Sequence, residues 1–156
     1  MFLGFCGVPG AGKTSASLWL ESKVGPRFSF ASALRGSVAG LFGPDLVSAD
    51  KDQIWPPFGR TPRSVLIEHG NNCRLIWPDV WVNALDRAIG DGISCTIDDV
   101  RWRNEAEYIK ARGGYVIRIG RVGYIPDPIL MDSDTEREEA LIQADFTLRA
   151  KDLEEL

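Results

Sequence analysis

The sequence predicts an α/β fold, three-layered α/β/α, with a mostly parallel sheet between two layers of helices. Apolar strand-like runs alternate with amphipathic helical periods along the chain, the pattern of parallel strands joined by crossover helices. The first run, Phe2-Leu3-Gly4-Phe5-Cys6, opens straight into a glycine-rich turn followed by a helical period. The 156 residues are enough for one domain with a sizeable core and too few for two ordinary ones. No internal repeat, low-complexity tract or linker interrupts them, so residues 1–156 read as one domain.

The elements follow in order. Residues 2–6 are a short buried strand, and Ser15–Val24 has a helical apolar period stopped by Gly25-Pro26. Phe28-Ser29-Phe30 is a strand candidate. Residues 33–42 place Leu34, Val38, Leu41 and Phe42 on one helical face, ended by Gly43-Pro44. Residues 45–60 read as an irregular loop around Trp55-Pro56-Pro57-Phe58-Gly59. Thr61-Pro62 reads as the N-cap and first residue of a short helix carrying Val65 and Leu66. After Pro78-Asp79, the residues Val80, Trp81, Ala84, Leu85, Ala88 and Ile89 trace an amphipathic helix. Ile93–Ile97 is a buried strand closed by Asp98-Asp99. Asn104–Arg112 is a helix stopped by Gly113-Gly114, and Tyr115–Ile119 is the next strand. Ser133-Asp134-Thr135-Glu136 has the form of a capping box opening a helix to about Ala144. Phe146-Thr147-Leu148 is a last short strand, and Asp152–Leu156 is the start of a terminal helix.

From Gly7 to Thr14 the spacing is G-x-x-x-x-G-K-T, the pattern of the P-loop. Gly7, Gly10 and Gly12 let the backbone take positive φ and approach an anion closely. Successive N–H groups, including those of Ala11 and Ser15, then point inward at the positive end of the helix dipole. Lys13 supplies a point charge for the β- and γ-phosphates, and the Thr14 hydroxyl is placed to ligate Mg²⁺. A chance glycine turn would not need the strand before it and the helix after it. The loop specifies a nucleotide phosphate site and leaves the reaction open.

Composition narrows the partners. Apolar residues make up 44% and charged residues 26%, normal for a globular protein. A net charge of −4 argues against a nucleic-acid polymer, which needs a basic surface. No stretch approaches the roughly 20 apolar residues of a bilayer span, and the first residues lack a secretory signal, so a cytoplasmic location is expected. Cys6, Cys73 and Cys95 are odd in number and widely spaced, which fits reduced thiols. His69 has no Cys or His at metal spacing and reads as solvated or capping.

A phosphoryl-transfer site also needs a carboxylate near the metal and cations to spread charge. Asp98 and Asp99 end a buried strand, where ligands gather in open α/β sheets. Arg63, Arg74, Arg101, Arg121 and Arg137 fall at helix starts, strand ends or irregular segments, where guanidinium groups suit phosphate oxygens. Arg103 and Arg112 read as surface residues. Trp55, Phe58 and Trp81 could wall a base pocket or belong to the core.

A longer set of strings narrows the family. GVPGAGKT is followed by Phe30-Ala31-Ser32-Ala33-Leu34-Arg35, Thr61-Pro62-Arg63, Gly70…Arg74 and Pro78-Asp79-Val80-Trp81-Val82. Then come Asp99-Val100-Arg101-Trp102-Arg103-Asn104-Glu105-Ala106 and Gly113–Arg121. In that order and spacing the chain resembles the deoxynucleoside monophosphate kinases of tailed bacteriophages, from residue 1 to about residue 150. The resemblance implies an adenylate-kinase-like P-loop NTPase core of five parallel strands, an acceptor-binding helical insert at 31–90 and a lid at 121–145. It implies ATP and a dNMP as substrates, dNDP and ADP as products, and Mg²⁺ as cofactor.

Carried over residue by residue, Gly7, Gly10, Ala11, Gly12, Lys13, Thr14 and Ser15 would hold ATP, and Thr14 with Asp99 the metal. Arg63, Arg74 and Trp81 would take the dNMP, with Asp99 and Arg101 at the transfer point. Arg121 or Arg137 would reach over from the lid, whose closure excludes water as a competing acceptor. The chain departs from the family at Ile67, where a Gln is frequent, and at Met131-Asp132-Ser133-Asp134, where a histidine is lost. The family's usual final helix is expected to be shortened here. Two other readings stay open: another small-molecule P-loop kinase, of the dephospho-coenzyme A or gluconate kinase type, and a nucleotide-binding module without an acceptor. Monomer and homodimer are equally compatible with the sequence.

Overall fold

The structure, a computed structural model, describes residues 1–126 and 134–151. Five strands are present: β1 (Phe2–Cys6), β2 (Arg27–Phe28), β3 (Cys95–Ile97), β4 (Tyr115–Arg121) and β5 (Phe146–Ala150). Seven helices are described: α1 (Lys13–Val24), α2 (Ala31–Phe42), α3 (Pro44–Ser48), α4 (Pro62–Ile76), α5 (Val80–Ile89), α6 (Arg103–Ala111) and α7 (Asp134–Ala140). All strand pairings are parallel, in the order β2-β3-β1-β4-β5. The chain divides into two compact units, Met1–Ser29 with Ile89 onward, and Phe30–Ala88.

In the first unit β1 lies at the centre, with Phe2 opposite Cys95 of β3 and Gly4 opposite Val116 of β4. Its side chains alternate between faces, as strand geometry requires. On one face Phe5 packs with Ala11, Ala16 and Ile119, flanked by Leu3, Val8, Leu20 and Ile117. On the other face Gly4 sits so close to Ile109 of α6 that a Cβ there would overlap its side chain and lie 2.9 Å from that of Val100. Phe2 meets Tyr108 of α6 edge-on, with ring centroids 6.3 Å apart. Helix α1 therefore covers one face of β1 and α6 the other. The sheet's topological switch falls at β1, where the chain crosses from the β2–β3 side to the β4–β5 side, so a crevice opens beyond its carboxyl end.

The second unit is helical. Val38 of α2 and Leu46 of α3 are fully buried. Thr61 caps α4 by accepting the Ser64 N–H at 3.1 Å, with Pro62 at the first helical position. Ser37 and the His69 ring lie within hydrogen-bond distance, 3.0 Å, which joins α2 to α4. Trp81 donates its indole N–H to the Gly70 carbonyl at 3.3 Å, which joins α5 to α4.

Several boundaries differ from expectation. The second strand is Arg27–Phe28, one residue earlier and shorter, because Ser29 and Phe30 turn into α2. The segment 45–60 is not wholly irregular: Pro44 starts the one-turn helix α3, and Trp55 bridges to Arg60. Helix α4 runs ten residues past Leu66, to Ile76. Leu41 and Phe42, predicted to share the inward face of α2, are 67% and 40% exposed, since that helix buries only Val38 fully. His69, read as solvated or capping, is half-buried with its ring within hydrogen-bond distance of Ser37. Ser133, with Met131 and Asp132, lies outside the described residues, as does the expected helix at 152–156. Among the described residues no helix is long and apolar enough to cross a membrane.

Candidate active site

The loop between β1 and α1 is shaped by its glycines, with φ of 128° at Gly7, 80° at Gly10 and 102° at Gly12. These values disfavour any side chain. A Cβ at Gly7 would overlap the Ile119 carbonyl, and one at Gly10 would strike the Tyr124 hydroxyl. Ala11 is buried in the α1-side core, which anchors the middle of the loop, and its N–H closes a turn on the Val8 carbonyl at 3.2 Å. Thr14 is exposed and Ser15 half-buried on the first turn of α1.

Lys13 is buried, and its ammonium donates to the Gly7 carbonyl at 2.6 Å and the Val8 carbonyl at 2.9 Å. Burial, together with the Arg101 charge, pulls Lys13 down to about 8, while Glu136 and Glu139 pull the other way. The lysine therefore sits in one electrostatic neighbourhood with three groups distant in sequence.

The strand end after β3 carries the expected carboxylates. Asp98 is buried and ion-paired with Arg27 at 2.8 Å, and Asp99 accepts from the Ser29 hydroxyl at 2.6 Å. Beyond them Glu105, buried at the start of α6, accepts the N–H groups of Arg101 at 2.8 Å and Trp102 at 3.1 Å. Those two hydrogen bonds to one carboxylate fix the backbone from which Arg101 projects. The Arg101 guanidinium is ion-paired with Glu136 of α7. On β4, Arg118 pairs with Glu139 of α7 at 2.6 Å and donates to the Ile142 carbonyl at 2.9 Å. Cys6 lies opposite Arg118 in the register. Burial pushes its thiol up to about 11, with Arg118 opposing the shift and Glu139 reinforcing it.

The expected lid arginines are at the surface. Arg121 ends β4 exposed, and Arg137 is exposed on α7, 3.4 Å from Asp134. In the second unit Arg63 makes a two-pronged pair with Asp52, at 2.6 and 3.0 Å, which holds the Asp52 carboxyl below its ordinary range. Arg74 is half-buried on α4, and Trp81 is buried with its N–H on Gly70. Arg103 pairs at the surface with Glu138 at 3.3 Å, as a surface residue should.

No family model matches the chain. A protein of Acanthamoeba polyphaga mimivirus named "Putative deoxynucleotide monophosphate kinase" is 31% identical over 151 residues, spanning 81% of this chain and 77% of that protein. The chain belongs to the deoxynucleotide monophosphate kinase family. This relative comes from a mimivirus, not from a bacteriophage.

In this member of the kinase family, sequence reasoning overlooked Glu105, Arg118 and Glu139, and took Glu136 for half of a capping box. Its carboxylate pairs with Arg101, while Ser133, the other half of that box, lies outside the described residues. The i,i+3 spacing of Glu136 and Glu139 on one face of α7 was the available signal, since two acids facing a sheet must find cations. Ser17 of α1 and Thr96 of β3, both fully buried, were also missed; their hydroxyls bond at 2.6 Å and tie the loop helix to the strand that leads into Asp98 and Asp99.

Among the described residues no group of three or more His, Cys, Asp or Glu side chains could hold a metal alone. The exposed Thr14 hydroxyl and the Asp99 carboxylate are oxygen donors of the kind Mg²⁺ takes one or two of, the rest coming from phosphate and water.

Proposed function

We propose that the protein is a deoxynucleoside monophosphate kinase that transfers the γ-phosphoryl group of ATP to a dNMP, giving ADP and dNDP. The observation that carries this reading is Lys13. It is buried at the first position of α1, just after a loop whose glycines have positive φ, and shares its electrostatic surroundings with Arg101. Membership of the kinase family supports the acceptor class.

In this reading the loop amides and Lys13 bind the ATP phosphates, and the start of α1 adds its dipole. Arg101, held from behind by the backbone bonds to Glu105, spreads the charge of the transferring group. Asp99 accepts a hydrogen bond at the transfer point and, with Thr14, would hold Mg²⁺. When bound, that ion neutralises the β- and γ-oxygens. Arg63, Arg74 and Trp81 serve the dNMP, and Arg121 or Arg137 acts from the lid. The products feed DNA synthesis in the cytoplasm.

The test is a coupled assay of ADP release with MgATP and each of the four dNMPs in turn. Turnover well above the background ATPase with at least one dNMP is expected, and no stimulation by any of them refutes the proposal. The same screen extended to gluconate and dephospho-coenzyme A separates the other small-molecule kinases.

A further inference from the structure

Glu136 and Glu139 are 4% and 2% exposed, among the most buried acids of the described residues. A buried carboxylate survives in ionised form only beside a cation, and each has one: Arg101 for Glu136 and Arg118 for Glu139. The two pairs are not equivalent. Arg118 lies in the middle of β4 and also donates to two backbone carbonyls, those of Glu139 at 3.2 Å and Ile142 at 2.9 Å. It is tied into the fold at three points. Arg101 projects from the irregular segment beyond β3, at the carboxyl end of the sheet, and shares an electrostatic neighbourhood with Lys13.

Glu136 thus puts a negative charge beside the cations that a phosphoryl group would meet. A carboxylate and a phosphoryl group make the same two-pronged demand on a guanidinium. Both cannot be held at full strength by one Arg101, since two anions side by side repel. We propose that the Glu136 carboxylate is a displaceable counter-anion, which occupies Arg101 until a phosphate takes its place. Glu139 with Arg118 is the fixed anchor of α7, and Glu136 is the end that lets go. The pair gives the Arg101 cation an anion, and it makes Arg101 available only to a ligand that outcompetes the carboxylate. This deepens the kinase reading and rests on it for the identity of the phosphate. The competition itself concerns any oligophosphate in the glycine loop.

The experiment is titration calorimetry of the full chain with inorganic tripolyphosphate, without metal or dNMP, for the native protein, Glu136→Gln, Arg101→Ala and the double variant. Glu136→Gln should tighten tripolyphosphate binding by about tenfold, as expected for removing one unit charge near an anion in a partly screened site. Arg101→Ala should weaken binding more in the Glu136→Gln background than in the native chain, because there the arginine is no longer engaged. A residue that merely orients Arg101 for phosphate would give the opposite sign, with weaker binding in Glu136→Gln. Unchanged or weaker binding in a folded Glu136→Gln protein overturns the proposal, and so does an equal loss from Arg101→Ala in both backgrounds. Should Glu136→Gln fail to fold, Glu136→Asp draws the carboxylate back from Arg101 on a shorter arm: tighter tripolyphosphate binding supports the proposal, and unchanged or weaker binding overturns it. Because no dNMP is present, tightening without any dNMP turnover would leave the competition standing and refute only the kinase reading.

Discussion

Replacing Lys13 by methionine removes a charge that the fold holds against its own burial. The ammonium titrates at about 8 in place of 10.5 because it is buried and has Arg101 nearby. Each pH unit of that drop is worth about 1.4 kcal/mol, so holding the charge at neutral pH costs the native state about 3 kcal/mol. Between about pH 8 and 10.5 the unfolded chain keeps a proton that the folded chain has released. The unfolded state then binds more protons, and the contribution of Lys13 to stability rises with pH across that window. Below the window both states are protonated and the contribution is flat. The methionine chain has no such group. Urea denaturation of both chains at matched pH should show their difference in unfolding free energy moving toward the lysine chain by about 2–3 kcal/mol between about pH 7 and pH 10. Other ionisable groups are common to both chains and largely cancel. A difference that stays constant with pH, or moves toward the methionine chain as pH rises, refutes the electrostatic account of Lys13.

Arg63→Ala should raise the KM for the dNMP by about tenfold or more with kcat little changed, the expected loss of a charge-assisted bond to phosphate; steady-state kinetics with an unchanged KM would remove Arg63 from the acceptor site. Gly4→Ala should destabilise the protein by about 1–3 kcal/mol, because the new methyl group meets Ile109 and Val100 in a packed layer; a urea midpoint equal to that of the native chain would contradict that packing. A thiol reagent at neutral pH should modify Cys73 first and leave Cys6 and Cys95 slow, since both are buried with thiols raised by burial. All three should react in denaturant, and rapid native-state modification of Cys6 would show that the region beside Arg118 opens.

Where an element is built from neighbours in the chain, the sequence was a good guide to it. The glycine loop was legible because its requirement is local: three positions that need positive φ, between a strand and a helix. Thr61-Pro62 was legible because a cap and a proline act within one turn. Helix α5 was legible because Trp81, Leu85 and Ile89 share one face and all three are buried. Leu41 and Phe42 misled because an apolar period shows which face is greasy and not whether a neighbour reaches it. Asp98 and Asp99 were correctly placed at a strand end, yet their partners Arg27 and Ser29 stand about seventy residues away.

By itself the sequence determined that a strand, a glycine turn and a helix N-terminus would meet at the end of an α/β sheet, because each step depends on backbone preference and short-range periodicity. Only the tertiary structure decided what surrounds Lys13. Glu136 lies 35 residues from Arg101, and Glu139 lies 21 from Arg118. Burial by the sheet and α7, not any local pattern, requires each carboxylate to have a cation. Charge pairing is set by where the folded chain excludes water, and no residue announces that in isolation.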